Sequence, residues 1–155
     1  MKISKLSFVG IVLLLTLASF GVVSACSCTP GFWKAPQHWY TWKDISPNDP
    51  VTVGGQNFDL DGVKGHDTYL QALRYKGGPG IPGAQRIFLR AWVANQLNVP
   101  YNAPGEFHNC DNECQAILTD PDSTRAEIIE KAEALDIWNN NGGICDVLEQ
   151  NPLPG

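Results

Sequence analysis

The sequence predicts a mainly all-α fold, a small helical domain that is closed by disulfides and carries a minor β-hairpin. Residues 84–98 are apolar around most of a helical circumference, and residues 122–138 have the spacing of an amphipathic helix. Residues 51–58 place two β-prone arms around a glycine turn. Disulfides are predicted from the cysteines that follow the amino-terminal region: Cys28, Cys110, Cys114 and Cys145.

The amino terminus has the pattern of an export signal. Lys2 and Lys5 precede an almost uninterrupted apolar run over residues 6–23, and small residues then lead to Cys26. A positive start, an apolar stretch and a small-residue cleavage site are typical of secretory signals. We therefore expect residues 1–25 to be a signal peptide. Residues 26–155 are expected to form a single exported helical domain, extracellular or at the cell surface.

The processing site leaves three fates for Cys26 open. Ordinary cleavage makes it a free first residue, which is able to link neighbouring chains. A lipobox interpretation instead attaches a lipid to its thiol before cleavage. An uncleaved segment would stay as an anchor, because the apolar run approaches the roughly 20 residues that span a bilayer.

Charge limits the classes of partner. Without Lys2 and Lys5, nine basic residues oppose 16 acidic ones, which gives the exported part a net charge of −7. Such a surface argues against nucleic acid and anionic headgroups as partners. The expected partners are other surface proteins, copies of the same chain or extracellular polysaccharide, and the membrane is reached only through the signal or a lipid anchor.

The chain has five cysteines, so pairing in disulfides within the chain leaves one without a partner. Lipidation of Cys26, or a bond from Cys26 to a neighbouring chain, accounts for that cysteine. Cys28 and Cys145 are then the natural long-range pair, and closing so large a loop contributes about 4 to 5 kcal/mol in the chain-entropy model. Cys110 and Cys114 leave two alternatives. A local disulfide requires a turn, because a helix holds the sulfurs too far apart, whereas a metal site would also use His108.

The first segment of the domain is rich in aromatic residues, and Pro36 suits the first position of a short helix. These rings are interpreted either as part of the core or as a sugar-stacking platform. The candidate interaction residues are Trp33, Trp39, Tyr40 and Trp42.

The predicted hairpin over residues 51–58 turns at Gly54 and Gly55 and leads into a calcium-like loop. Oxygen ligands at alternate positions, followed by Gly62, imitate the first half of an EF-hand loop, but Thr68 stands where a bidentate Glu is required. A standard loop is therefore not expected, and a polar turn that leads into a helix is the alternative. Ca²⁺ is the one cofactor suggested, with these candidate ligands: Asn57, Asp59, Asp61 and Asp67.

Three longer helices are predicted, over residues 65–75, 84–98 and about 122–138. A glycine-rich loop at residues 77–83 separates the first two. Thr124 and Glu127 are spaced as a capping box at the start of the third. Its predicted inner face consists of Ile128, Ile129, Ala132, Leu135 and Trp138.

Several segments together resemble a family of exported bacterial and archaeal proteins. They are Cys-Thr-Pro-Gly-Phe-Trp-Lys at residues 28–34, the Lys-Gly-Gly loop at 76–78, residues 83–91, Asn-Asn-Gly at 140–142 and the late Cys145. The resemblance implies that the protein is secreted or lies at the cell surface, and it implies no particular activity. Ala35 and Pro36 stand where relatives tend to have Asn-His, so any role of that pair does not transfer.

The sequence favours interaction over catalysis. No serine lies in a Gly-x-Ser-x-Gly elbow, and cysteines in disulfides or bearing lipid cannot act as nucleophiles. We expect an adhesive, matrix or filament subunit. The alternatives are a glycan-binding module, a Ca²⁺- or metal-binding surface protein, and an extracellular hydrolase that uses paired acids such as Asp59 with Asp61, or Glu106 near His108.

Overall fold

The structure, a computed structural model, describes residues 28–62, 65–101 and 110–140. The mainly helical fold with a minor hairpin that the sequence predicts is confirmed. The described elements, in chain order, are α1 (Pro30–Trp33), a 3-10 helix (Pro36–Thr41), β1 (Thr52–Val53), β2 (Gln56–Asn57), α2 (Tyr69–Leu73), α3 (Gly80–Asn98), a 3-10 helix (Val99–Tyr101), α4 (Asp111–Thr119) and α5 (Arg125–Asn140).

Helix α3 is the centre of the described fold. It packs along α5 and also contacts α1 and α2. Its apolar side chains are buried around most of its circumference, as the sequence pattern predicts, because neighbouring elements cover it on several sides. The buried apolar residues of α3 are Ala84, Phe88, Leu89, Ala91, Trp92, Val93, Ala94 and Leu97.

The predicted start of α3 at Ala84 is wrong, because the helix begins at Gly80. A proline in the first turn lacks only an N–H that has no intrahelical partner there, so Pro82 does not interrupt the helix. Gly83 packs directly against the preceding loop: a Cβ at this position would lie 2.0 Å from the carbonyl oxygen of Gly78. Part of the predicted glycine-rich loop is therefore the first turn of the central helix.

The helix predicted over residues 65–75 is shorter than expected, because α2 spans Tyr69–Leu73. Thr68 is its N-cap and forms a capping box with Gln71. Thr68 itself pairs with Pro50 in an isolated bridge, and Asp67 before it exchanges backbone hydrogen bonds with Val51 and Phe58. The cap thus fixes where the extended segment ends and the helix begins.

The predicted hairpin is confirmed, with β1 and β2 antiparallel and Val53 opposite Gln56. The turn residues Gly54 and Gly55 have φ angles of 56° and 82°. This left-handed backbone is disfavoured for residues with a side chain, which explains the Gly-Gly pair. The hairpin is followed directly by the loop that contains Asp59 and Asp61, called the acidic loop below.

The capping box predicted at the start of α5 is confirmed, because Thr124 N–H donates to Glu127 Oε2 at 2.7 Å and Glu127 N–H donates to Thr124 Oγ1 at 3.3 Å. The predicted inner face is partly wrong: Trp138 is 40% exposed and Asn139 is fully buried. Positions 128, 132, 135 and 139 follow the period of a helix, so the inner face ends on an amide and not on an indole.

The local disulfide between Cys110 and Cys114 is confirmed, with a Cα–Cα distance of 5.4 Å. Cys110 is the N-cap of α4 and has non-helical backbone angles, so the two cysteines do not both lie in regular helix. This position gives the turn that the sequence analysis required. Both sulfurs are consumed in the bond, which rules out the alternative metal site at these residues.

Within the described ranges, no helix has both the length and the apolar character that crossing a bilayer requires. The predicted signal peptide and Cys26 lie outside the described residues, as does Cys145.

Candidate functional site

The four aromatic residues predicted to mediate interaction do not share one surface. Trp33 is fully buried and Trp42 is 8% exposed, so both belong to the core. Trp39 is half-buried and packs against the core, whereas Tyr40 is 47% exposed. A platform for stacking sugars needs several exposed rings, and only Tyr40 among these four is exposed. The burial of these rings therefore favours a role in the core over a role in sugar binding.

Buried indoles in this segment are held by hydrogen bonds. Trp33 Nε1 donates to Asn98 Oδ1 at 3.2 Å, and Trp42 Nε1 donates to the Trp33 carbonyl at 3.3 Å. The Tyr101 hydroxyl donates to the Thr41 carbonyl. Burial raises the pKa of Tyr101 above its ordinary value, so this hydroxyl remains a donor at neutral pH. The aromatic segment is thereby fastened to the end of α3.

Asn98 is a buried connecting residue that the sequence analysis missed. Its Oδ1 accepts the Cys28 N–H at 2.6 Å, and its Nδ2 donates to the Cys28 carbonyl at 3.0 Å. Nδ2 also donates to Asn139 Oδ1 at 3.1 Å, while Asn139 Nδ2 donates to the Ala91 carbonyl at 2.8 Å. One amide therefore joins the start of the domain to α3 and to the end of α5. Helix α3 also carries other polar residues, such as Asn95 and Gln96, so the sequence contains no local signal that singles out Asn98.

The start of the domain is held at more than one point. Cys28 is fully buried, and its N–H and carbonyl both bond Asn98. It is also disulfide-bonded. The predicted partner Cys145 lies outside the described residues, so the pairing of these two cysteines stays a prediction.

The acidic loop brings together three of its four predicted ligands. One carboxylate oxygen from each of Asp59, Asp61 and Asp67 lies within 4.8 Å of the other two. The fourth candidate, Asn57, is on β2, and its amide oxygen accepts the Thr52 hydroxyl at 2.7 Å. The cluster is thus an all-carboxylate group built by the loop and the segment that precedes α2.

Backbone pairing places Asp67 beside the loop. The Asp67 N–H donates to the Phe58 carbonyl at 2.8 Å, and the Asp67 carbonyl accepts the Val51 N–H at 2.8 Å. Because this segment pairs with the residues flanking the hairpin, a carboxylate eight residues after Asp59 returns to the same place. Asp59 Oδ1 accepts the Gly62 N–H at 3.2 Å, and this bond stabilises the turn over residues 59–62.

Asp67 differs from the other two acids in its burial. Asp59 and Asp61 are exposed, whereas Asp67 is 1% exposed. Its Oδ2 accepts the Leu60 N–H at 2.6 Å, and its Oδ1 is shielded from solvent without a hydrogen-bond partner among the described residues. Burial, and next the nearby Asp67 carboxylate, raise the pKa of Tyr75, so the phenol that faces this region is neutral.

One described cation near this region, Arg86, contacts the backbone of the loop. Arg86 donates from Nε and Nη2 to the Leu60 carbonyl, at 3.1 and 2.6 Å. Its guanidinium therefore fixes the backbone of the loop, and no described ion pair joins it to Asp59 or Asp67.

Clefts also lie elsewhere on the described surface. A cleft of about 160 Å³ beside the end of α3 is lined by Lys43, Asp44, Ile45, Gln96, Leu97, Val99 and Pro100. A wider groove between α4 and α5, of about 560 Å³, is lined by Glu113, Ala116, Ile117, Asp120, Asp122, Ser123, Glu127 and Lys131. In this groove Lys131 pairs with Glu113 at 2.5 Å. Glu106 and His108, the other acid-base candidates, lie outside the described residues.

Comparison with known proteins adds no relative. No protein-family model, no curated protein and no solved structure matches this chain.

Proposed function

We propose that the protein is an exported domain that works by interaction at the cell surface or outside the cell, as an adhesive, matrix or filament subunit, and not by catalysis. The proposal is supported by the export pattern of residues 1–25 and by cysteines held in disulfides, which persist in oxidising compartments. Its partners are other surface proteins, copies of the same chain or polysaccharide.

The observation that carries the proposal is the locked start of the domain. Cys28 is buried, bonded through both backbone groups to Asn98 and tied by a disulfide. The predicted processing site at Cys26 is only two residues earlier. A two-residue connection spans at most about 7 Å.

A domain attached through Cys26 would therefore have almost no linker. A lipid on that residue would hold the domain directly against the membrane, and a disulfide from it would hold two domains in contact. Either attachment restricts the orientation of the domain, which suits a displayed or assembled subunit better than a freely diffusing enzyme.

The test is the intact mass of the protein taken from its native cell surface, before and after reduction, with its apparent size recorded alongside. A lipid increment on Cys26 and a gain of four hydrogens, two for each of two disulfides, are expected for an anchored display protein. Chains linked through Cys26 are expected for a covalent polymer. Cys26→Ser is the matched variant, because it removes either attachment and leaves the Cys28 anchor intact.

A different result would contradict the proposal. Protein of full-length mass, recovered from inside the cell with all thiols reduced, would exclude export and the surface role together.

A further inference from the structure

We propose that Asp59, Asp61 and Asp67 form a binding site for a calcium ion, and that the ion stabilises the loop between the hairpin and α2. This inference is independent of the interaction partner proposed above. It rests on two observations, the convergence of the three carboxylates and the incomplete bonding of the buried one.

The first observation is the short distance between the carboxylate oxygens of the three residues. One carboxylate oxygen from each of the three residues lies within 4.8 Å of the other two. Calcium binds oxygen at about 2.3–2.6 Å, so two ligands on opposite sides of one ion are separated by roughly 4.6–5.2 Å. All three oxygens are therefore close enough together to contact a single ion after small side-chain adjustments.

The second observation is the state of Asp67. A buried carboxylate normally has its oxygens paired, because an uncompensated charge away from water is strongly unfavourable. Oδ2 of Asp67 accepts the Leu60 N–H, whereas Oδ1 is enclosed and no described residue donates to it with hydrogen-bond geometry; the Tyr75 phenol beside it is neutral. A cation bound between this side chain and the two exposed acids would supply the missing charge.

Two neighbouring groups among the described residues do not meet this requirement. The Tyr75 hydroxyl lies beside Asp67, and burial and then its interaction with that carboxylate raise the pKa of Tyr75, but a neutral phenol adds no positive charge. The Arg86 guanidinium is committed to the Leu60 carbonyl. Its two bonds there hold the loop in the conformation that brings the acids together.

The ligand set selects the ion. Carboxylate oxygens favour hard cations such as calcium and magnesium over zinc or copper. Calcium tolerates irregular geometry and 6–8 ligands, whereas magnesium requires a near-ideal octahedron at shorter distance. With two of its three acids exposed, the site should bind at the 10⁻⁴–10⁻³ M level typical of extracellular modules.

The test uses the protein purified with its disulfides intact, and its melting temperature is measured in EDTA, in 2 mM CaCl₂ and in 2 mM MgCl₂. We expect calcium to raise the melting temperature by about 5 °C, following mass action for a ligand that binds only the folded state. Magnesium is expected to produce a much smaller shift. Titration calorimetry with calcium should give one site per chain.

Three variants locate the ion. Asp67→Asn is expected to abolish the calcium shift and to melt at or above the native protein in EDTA, because Asn keeps an acceptor for the Leu60 N–H without the buried charge. Asp61→Asn changes an exposed side chain and keeps an oxygen that can accept the Gln71 Nε2 bond, which is 3.4 Å long in the native protein, and it should weaken calcium binding by about tenfold or more. Asp44→Asn, an equal charge change at an exposed residue outside the cluster, should respond to calcium like the native protein.

The contradicting outcomes are equally specific. The proposal fails if calcium neither binds nor shifts the melting temperature at millimolar concentration, or if Asp61→Asn and Asp44→Asn respond alike. An equal response to magnesium would overturn the choice of ion. If Tyr75 simply donates to Asp67, Tyr75→Phe will destabilise the protein in EDTA and calcium will have no effect on either chain.

Discussion

Replacing Asn98 with alanine should destabilise the domain more than any other single amide substitution on α3. The side chain accepts from Cys28 N–H and Trp33 Nε1, and it donates to the Cys28 carbonyl and to Asn139 Oδ1. Asn98→Ala removes all four bonds at once. The groups left behind are enclosed in the core, where water does not readily replace the lost partner.

The magnitude follows from the number of unpaired groups. A buried donor or acceptor left without a partner costs about 1–3 kcal/mol. Four groups at the lower end of that range give a loss of about 4 kcal/mol, a large fraction of the ~5–15 kcal/mol that keeps a typical domain folded. With a urea dependence of about 2 kcal/mol per molar, the midpoint should fall by roughly 2 M.

The assay is urea denaturation of oxidised protein, followed by tryptophan fluorescence and by circular dichroism. Asn95→Ala is the matched control, because Asn95 is also buried on α3, at 4% exposure, but its Oδ1 accepts no hydrogen bond from a described residue. We expect this control to lose less than about 2 kcal/mol. A difference below about 1 kcal/mol between the two variants would refute the assignment of Asn98 as the connecting residue.

Three further substitutions test other parts of the fold. Burial raises the pKa of Asp136, so its contribution to stability is present below the ordinary Asp pKa and is lost as pH rises through the raised value. Asp136→Asn should therefore melt above the native protein at pH 7 and lose that advantage at pH 3. Gly83→Ala should cost about 1–3 kcal/mol in urea denaturation, because its Cβ would meet the Gly78 carbonyl oxygen at 2.0 Å. Hydrogen bonds from the backbone N–H and then the hydroxyl of Thr124 hold the pKa of Glu127 below its ordinary value, so the benefit is present above the ordinary pKa and lost as pH falls through the lowered one. Glu127→Gln should accordingly melt below the native protein at pH 7 and match it in strong acid, and an unchanged difference in acid would contradict the capping role.

Features that depend on a few consecutive residues could be predicted from the sequence. The turn at Gly54 and Gly55 and the capping box at Thr124 were found because their signals lie within four residues of each other. Helix ends that depend on packing were predicted less well. The start of α3 at Gly80 was missed because glycine and proline usually indicate a loop, while here they occupy a first turn.

Bonds between distant residues were outside the reach of sequence patterns. Asn98 meets a partner 70 residues earlier and another 41 residues later, and no local spacing encodes either contact. In the acidic loop, alternation indicated Asn57, Asp59 and Asp61, and the Asn57 amide oxygen also accepts the Thr52 hydroxyl, a bond that alternation does not encode. The burial that distinguishes Asp67 depends on pairing with the hairpin region and could not be predicted from composition.

The distance along the chain between Cys28 and Asn98 sets an order of events for an exported protein. Cys28 would leave the secretory channel 70 residues before its hydrogen-bond partner. Until α3 and α5 have both been exported, the hydrogen bonds that join Cys28, Asn98 and Asn139 could not all form. During that interval the segment that begins at Cys28, two residues after the predicted processing site at Cys26, would still be undocked. Under the proposed export, the bonds of Asn98 that stabilise the domain would therefore also set the moment at which its amino-terminal segment docks onto α3 and α5.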